Sequence, residues 1–287
     1  MQRRLFSIPL ALMFFAITFG VVYAQEPVHA EAPAPTAIQE PAPSVPEQVA
    51  APVKAPPFSD IVKQLSWKTF HTNLYLDVAR KGKSPSRKMM EVYLRHSKTG
   101  QDMFMVFKKP SNMKGMTFLA HNNVDLDDDW YMYVRTIRRV KRVPSAADNF
   151  MLRDFLSLYL LKPRLELWDY TVDGSVPAED GKGVWHKYVG MPKTDETTGL
   201  TGYGKLMQYV DVEKKVIMKT EFYDKDLKLI RTQMVKKLEQ RNGSWLPVEF
   251  FTDDIEEGVT AGVTLFDLET DIEVSPKIFT VRYIKNM

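Results

Sequence analysis

From Lys68 to the end of the chain, apolar and polar residues exchange places with a period of two, the spacing at which successive side chains leave opposite faces of a β-strand. The alternation predicts strands over Lys68–Asp77, Met89–His96, Asp102–Phe107, Met116–Asn122, Trp130–Val134, Arg138–Val143, Trp185–Val189, Leu206–Val212, Lys215–Tyr223, Leu229–Gln240, Trp245–Thr252, Val259–Leu268 and Ile278–Tyr283. Between them, Ser97-Lys98-Thr99-Gly100, Asp224-Lys225-Asp226 and Asn242-Gly243 supply residues that tolerate tight or left-handed backbone. Short strands in succession, joined by such turns, make an antiparallel sheet. Ahead of them Ser59 can cap a short helix to Leu65, with Ile61, Val62 and Leu65 on one face.

Three stretches depart from simple alternation. In Asp102–Phe107 both faces are apolar, because Met103, Met105 and Phe107 alternate with Phe104 and Val106. Such a strand is either central and covered on both sides, or has one face in the core and the other lining a cavity for hydrocarbon. Trp130, Met132 and Val134 form an apolar face opposite Tyr131 and Tyr133, and this apolar set is the cavity candidate. From Phe150 to Leu161 the residues are nearly continuously apolar until Lys162-Pro163. That segment, with Phe150 and Phe155, is either a lid over an opening or a plain core element.

Composition adds a compartment. Arg3 and Arg4 precede a mostly apolar run from Leu5 to Val22, and Val22-Tyr23-Ala24 ends it with small residues where a signal peptidase cleaves. We expect export and cleavage after Ala24, with an uncleaved membrane anchor as the alternative. Residues 25–57 contain nine prolines among Ala, Glu, Gln and Val, the composition of an extended linker. Residues 58–287 then suit one large β-rich domain. No cysteine is present, so packing rather than disulfides must hold that domain together.

Charge narrows the function. The 39 basic and 36 acidic residues nearly cancel, and bulk charge does not call for nucleic acid. Five cations nevertheless crowd beside the aromatic strand: Arg135, Arg138, Arg139, Lys141 and Arg142. Guanidinium groups there can engage a phosphate-bearing head group or an acidic partner, or they can solvate an edge strand and prevent aggregation. The histidines at 71, 96, 121 and 186 are widely spaced, and the aspartates at 125 and 127–129 lack the calcium-loop pattern. Neither a Gly-x-Ser-x-Gly elbow nor a Gly-rich phosphate loop occurs. No cofactor, no metal and no catalysis are expected.

Several blocks occur together in order: Lys109-Pro110 with Lys114 to Leu119, Asp127 to Val134, Arg138 to Val143, and Asn149 to Phe155. They continue with Phe222 to Leu229, Gly243-Ser244-Trp245-Leu246-Pro247 and Ile278 to Ile284. In this the chain resembles the LolA-like family of bacterial outer-membrane lipoprotein-sorting proteins, in particular the branch linked to resistance-nodulation-division (RND/MMPL-type) transporters. The resemblance implies an incomplete, strongly curved antiparallel β-barrel with helices or loops over its concave side. It implies a monomeric periplasmic carrier for acyl chains of a lipid or lipoprotein, working with an inner-membrane transporter of that type, or else a non-carrying accessory of the transporter. On this reading Phe104, Val106, Phe118, Trp130, Met132, Val134, Phe150 and Phe155 are the candidate lipid-binding residues. The five cations form the candidate docking surface.

Overall fold

The computed structural model of the chain describes residues 55–62, 67–97, 100–123, 129–143, 165–179 and 181–286. Among them thirteen strands form one antiparallel sheet: β1 (Thr69–Arg80), β2 (Ser86–Ser97), β3 (Gly100–Lys109), β4 (Thr117–Asn123), β5 (Asp129–Val134), β6 (Arg139–Val143), β7 (Trp168–Pro177), β8 (Val184–Pro192), β9 (Lys205–Asp211), β10 (Val216–Tyr223), β11 (Leu229–Arg241), β12 (Ser244–Asp254) and β13 (Val259–Thr270). Their spatial order is β6-β5-β4-β3-β2-β1-β13-β12-β11-β10-β9-β8-β7. Two meanders thus meet where the first strand pairs with the last, from Phe70 opposite Thr270 to Arg80 opposite Val259. The other pairings join strands consecutive in sequence, so β1 with β13 is the one that must close a long loop. β6 and β7 end the sheet without pairing to each other, and it does not close into a barrel.

The hairpins turn where their residues permit. Asn242 and Gly243 hold φ of 46° and 77°, the doubly positive geometry of a two-residue turn between twisted strands. Between β10 and β11, Asp224 Oδ1 accepts from the backbone N–H groups of Asp226 and Lys228, each at 2.9 Å, and carries the chain through Leu227 at φ 61°.

Among the described residues three short α-helices accompany the sheet. α1 (Phe58–Val62) covers part of the predicted Ser59–Leu65 helix, and residues 63–66 lie outside those described. α2 (Asp195–Thr201) starts at Thr194, whose side chain accepts from Thr197 N–H at 3.2 Å, and ends at Gly202 with φ 77°. The predicted strand Ile278–Tyr283 does not form. A 3-10 turn spans Pro276–Phe279, and α3 (Val281–Lys285) follows, with Thr280 accepting from Tyr283 N–H at 3.2 Å. The capping threonine and the initiating proline outweigh the β-branched composition there. Conversely β7 was not expected, since Asp169, Asp173, Gly174 and Pro177 dilute its alternation; it is an edge strand with a bulge between Val172 and Ser175.

Register assigns the faces. Residues directly opposite in antiparallel strands point the same way, so the chain of partners Met132, Phe118, Met105, Val92 and Thr72 shares one face, here called inner. That face carries the main core, including Phe70, Leu74, Val92, Met105, Phe118 and Phe250. On the outer face of β3–β5, Phe104, Val106, Leu119 and Tyr133 are buried beneath Phe279 and Ile284 of the C-terminal turn and α3. α1 sits on the inner side of the other half, with the Phe58 ring stacked 4.0 Å from Tyr170 and close to Tyr188, whose hydroxyl donates to Pro56 O at 2.7 Å. Pro56 belongs by composition to the linker, yet it is tied to the sheet.

Candidate functional site

The inner face of β1–β5 is apolar almost without interruption. Val143, Trp130, Ala120, Met103, Leu94 and Phe70 follow one another across six strands, and beside them run Met132, Phe118, Met105 and Val92. Leu74, Leu76, Val263, Leu265 and Phe250 extend the surface through β13 to β12. Branched, aromatic and methionine side chains interdigitate, and methionine adapts most readily to an irregular neighbour. Trp130 contributes a buried indole Nε1 that has no hydrogen-bond partner.

Of the candidate lipid-binding residues, Phe118, Trp130, Met132 and Val134 lie on this face. Phe104 and Val106 do not. They point outward into the cluster under α3, and on β3 the inner positions belong to Met103, Met105 and Phe107. The doubly apolar pattern of this strand fits either orientation, and α3 is what occupies the outer side. Phe150 and Phe155 lie outside the described residues, on the connection between edge strands β6 and β7.

The five cations do not form one patch. Arg139 stands opposite Val134 and Lys141 opposite Met132, so both lie on the inner side of edge strand β6, at the rim of the apolar surface. Arg142 faces the other way and donates to Asp129 Oδ1 at 2.6 Å. Arg135 donates to the carbonyl of Lys114 at 3.2 Å, and Arg138 occupies a left-handed turn at φ 49°.

The other half of the inner face has a different character. Gln208 on β9 stands opposite Thr220 on β10, Thr220 opposite Gln233 on β11, and Gln233 opposite Thr252 on β12. These four make a polar row across the interior, with relative exposures of 0 %, 1 %, 1 % and 2 %. Both side-chain amides and the Thr252 hydroxyl lack any hydrogen-bond partner. A buried polar group left unmatched costs about 1–3 kcal/mol, so a row of them favours a partner that can satisfy them.

At the next position along this face, β9 and β10 carry the buried Leu206 and Phe222, and β11 and β12 carry an ion pair. Arg231 and Asp254 pair at 7 % and 3 % side-chain exposure, Nε to Oδ2 at 3.0 Å, and a second guanidinium nitrogen donates to the Tyr203 hydroxyl. On the opposite side of the polar row lie Val210, Val235 and Phe250, all buried. Along β11 and β12 the inner face therefore runs from hydrocarbon, through amide and hydroxyl, to a buried ion pair. Sequence reading missed this gradient, because Ile230 and Met234 alternate with Arg231, Gln233 and Val235 and make the polar set look like the solvent side.

Comparison with known proteins agrees with this fold. A family model described as "-like: Uncharacterized protein" matches residues 99–286, well over half of the chain. The chain belongs to that family. No curated protein matches. Among solved structures, a protein from Vibrio parahaemolyticus named an outer membrane lipoprotein-sorting protein domain superposes with TM-score 0.71 at 19% identity, covering 79% of this chain and 97% of its own. A DUF1329 family protein from Desulfovibrio piger gives 0.68 at 19%, over 79% and 95%. A LolA superfamily protein from Nitrosomonas europaea gives 0.58 at 14%, over 80% and 100%.

The fold is LolA-like. Within this LolA-like sheet the outer face holds its own ion pairs, which stay clear of the apolar surface. His121 Nδ1 lies 2.6 Å from Asp102 Oδ1, and Arg95 Nε donates to Asp102 Oδ2 at 3.0 Å. Burial by itself would raise the Asp102 carboxyl, but the His121 and Arg95 hydrogen bonds and charges hold it below the ordinary carboxylate value. Tyr93, partly buried and donating to Glu91 at 3.0 Å, is pushed up to about 12 by that burial and by the Glu91 carboxylate.

Proposed function

We propose that this protein is a periplasmic, non-enzymatic carrier that keeps the acyl chains of a lipid or lipoprotein out of water against the inner face of its open sheet. The observation that carries the reading is the continuous apolar surface from Trp130 to Phe250, bordered by edge strand β6, which among the described residues pairs on one side only. An acyl chain of about sixteen carbons resists water by roughly 12 kcal/mol at ~0.8 kcal/mol per methylene, and such a surface offsets most of that cost. The inner side chains are already buried, so loading must move protein side chains aside; the methionines at 103, 105 and 132 suit that exchange. Arg139 and Lys141 at the rim then meet the charged end of the cargo. Energy for loading would come from an inner-membrane transporter of the RND/MMPL type.

Gentle recovery of the protein from its native envelope, followed by mass spectrometry, tests the proposal. Bound acyl lipid is expected; absence of lipid together with failure to bind a fluorescent fatty-acyl probe rejects it. Met132→Asp, at a half-buried position on the candidate surface, should weaken probe binding at least ~10-fold without changing far-ultraviolet circular dichroism, since an ionised carboxylate is strongly disfavoured against hydrocarbon.

A non-carrying accessory of the same kind of transporter is the second reading. Two exposed cations on a terminal strand favour it, because an edge strand can also receive a partner's strand. Tight transporter binding with no lipid at any stage would select it.

A further inference from the structure

We propose that the polar row of β9–β12 is a subsite for the amide linkage of an N-acyl ligand, an inference that rests on the carrier reading. Four neighbouring strands place Gln208, Thr220, Gln233 and Thr252 side by side, a span of about 14 Å at ~4.8 Å per strand. Both glutamine amides present Oε1 and Nε2 without partners, so exchanging oxygen for nitrogen in either satisfies nothing. The group that completes this site must therefore both donate and accept.

This requirement selects among ligand chemistries. Hydrocarbon does neither, and an ester or a carboxylate accepts only. A carboxylate would also bring net charge beside an Arg231 that is already neutralised by Asp254. A trans amide carries its N–H and C=O in opposite directions. Lying across Thr220, it donates to one glutamine and accepts from the other, the two being about 10 Å apart at the backbone. The flanking residues set the ligand's direction: the acyl chain runs over Val210, Val235 and Phe250, and the opposite limit is closed by Leu206 and Phe222 on β9 and β10 and by the ion pair of Arg231 with Asp254 on β11 and β12. In this arrangement the apolar half of the inner face binds any chain, and the polar row distinguishes how the chain is attached.

The experiment compares two fluorescent palmitoyl probes that differ only in an amide N–H replaced by an ester oxygen, titrated into the full chain. The wild type is expected to bind the amide about tenfold more tightly, because the ester leaves a buried acceptor unmatched. In the double variant Gln208→Met, Gln233→Met, which keeps side-chain length and removes the amides, the two probes should bind equally. Equal binding of the two probes by the wild type overturns the subsite while leaving the carrier reading intact; it is the result expected if water alone fills the row. A preference that survives in the double variant places the discrimination elsewhere and also overturns it. If neither probe binds the wild type, the carrier reading itself fails. The wild-type comparison needs no variant, and thermal melting shows whether the double variant is folded.

Discussion

The two halves of the inner face share one backbone plan and differ in chemistry. Across β1–β5 the buried inner residues are mostly Leu, Val, Met, Phe, Ala and Trp, with Thr72 a polar exception, while across β9–β12 a row of glutamines and threonines and a buried ion pair interrupt the apolar face. A sheet face gains stability from burying hydrocarbon in proportion to area, which the first half maximises. The second half gives up part of that gain for groups that specify direction and hydrogen bonding. Under the proposed function, the contrast assigns affinity for a chain and selectivity for its linkage to different strands of the same surface.

That comparison can be broken at several points. The largest effect is expected in the polar half: Asp254→Ala strands the buried Arg231 guanidinium and should cost about 3–5 kcal/mol in urea denaturation. Replacing both partners by apolar residues should recover most of it, and a single variant as stable as wild type would mean that the pair is hydrated rather than sealed. In the apolar half, Leu74→Ala should cost about 2–5 kcal/mol through lost transfer energy and a residual cavity, with Met103→Leu at the same face costing less than about 1.5 kcal/mol. If Leu74→Ala is nearly neutral, the half is loosely packed and adapts without an opening step.

The smallest effect belongs to the outer face and serves as a control. The Asp102 carboxyl is held below its ordinary value of 3.8, so its contribution is fully present above that pH and is lost as the pH falls through the lower folded-state value. Asp102→Asn should therefore flatten the acid limb of a stability curve below about pH 4 and leave acyl-probe binding unchanged near neutrality. A change in probe binding at neutral pH would show that the two faces are coupled.

Much of the fold was legible. Twelve of the thirteen predicted strands form, within a few residues of the expected limits, because period-two alternation and the Asn242-Gly243 and Asp224-Lys225-Asp226 turns act locally. β7 escaped because edge strands need no apolar face, and Ile278–Tyr283 misled because its Thr280 cap competes with its strand-like composition. The candidate surface was half legible. Trp130, Met132 and Phe118 could be assigned by alternation, whereas Phe104 and Val106 could not be told from Met103 and Met105. The cations were visible as a run, but their division between rim, turn and ion pair follows from register.

By itself the sequence determined an antiparallel β-protein with a Pro-rich lead-in, because strand period, turn residues and composition are properties of neighbours along the chain. Only the tertiary structure decided which face of each strand is inner. That choice depends on β1 meeting β13 nearly two hundred residues away, and on α3 occupying the outer side of β3–β5. It likewise decided that Gln208, Gln233 and Thr252 converge in the buried interior, since burial is a property of the assembled sheet and leaves no mark on any one strand.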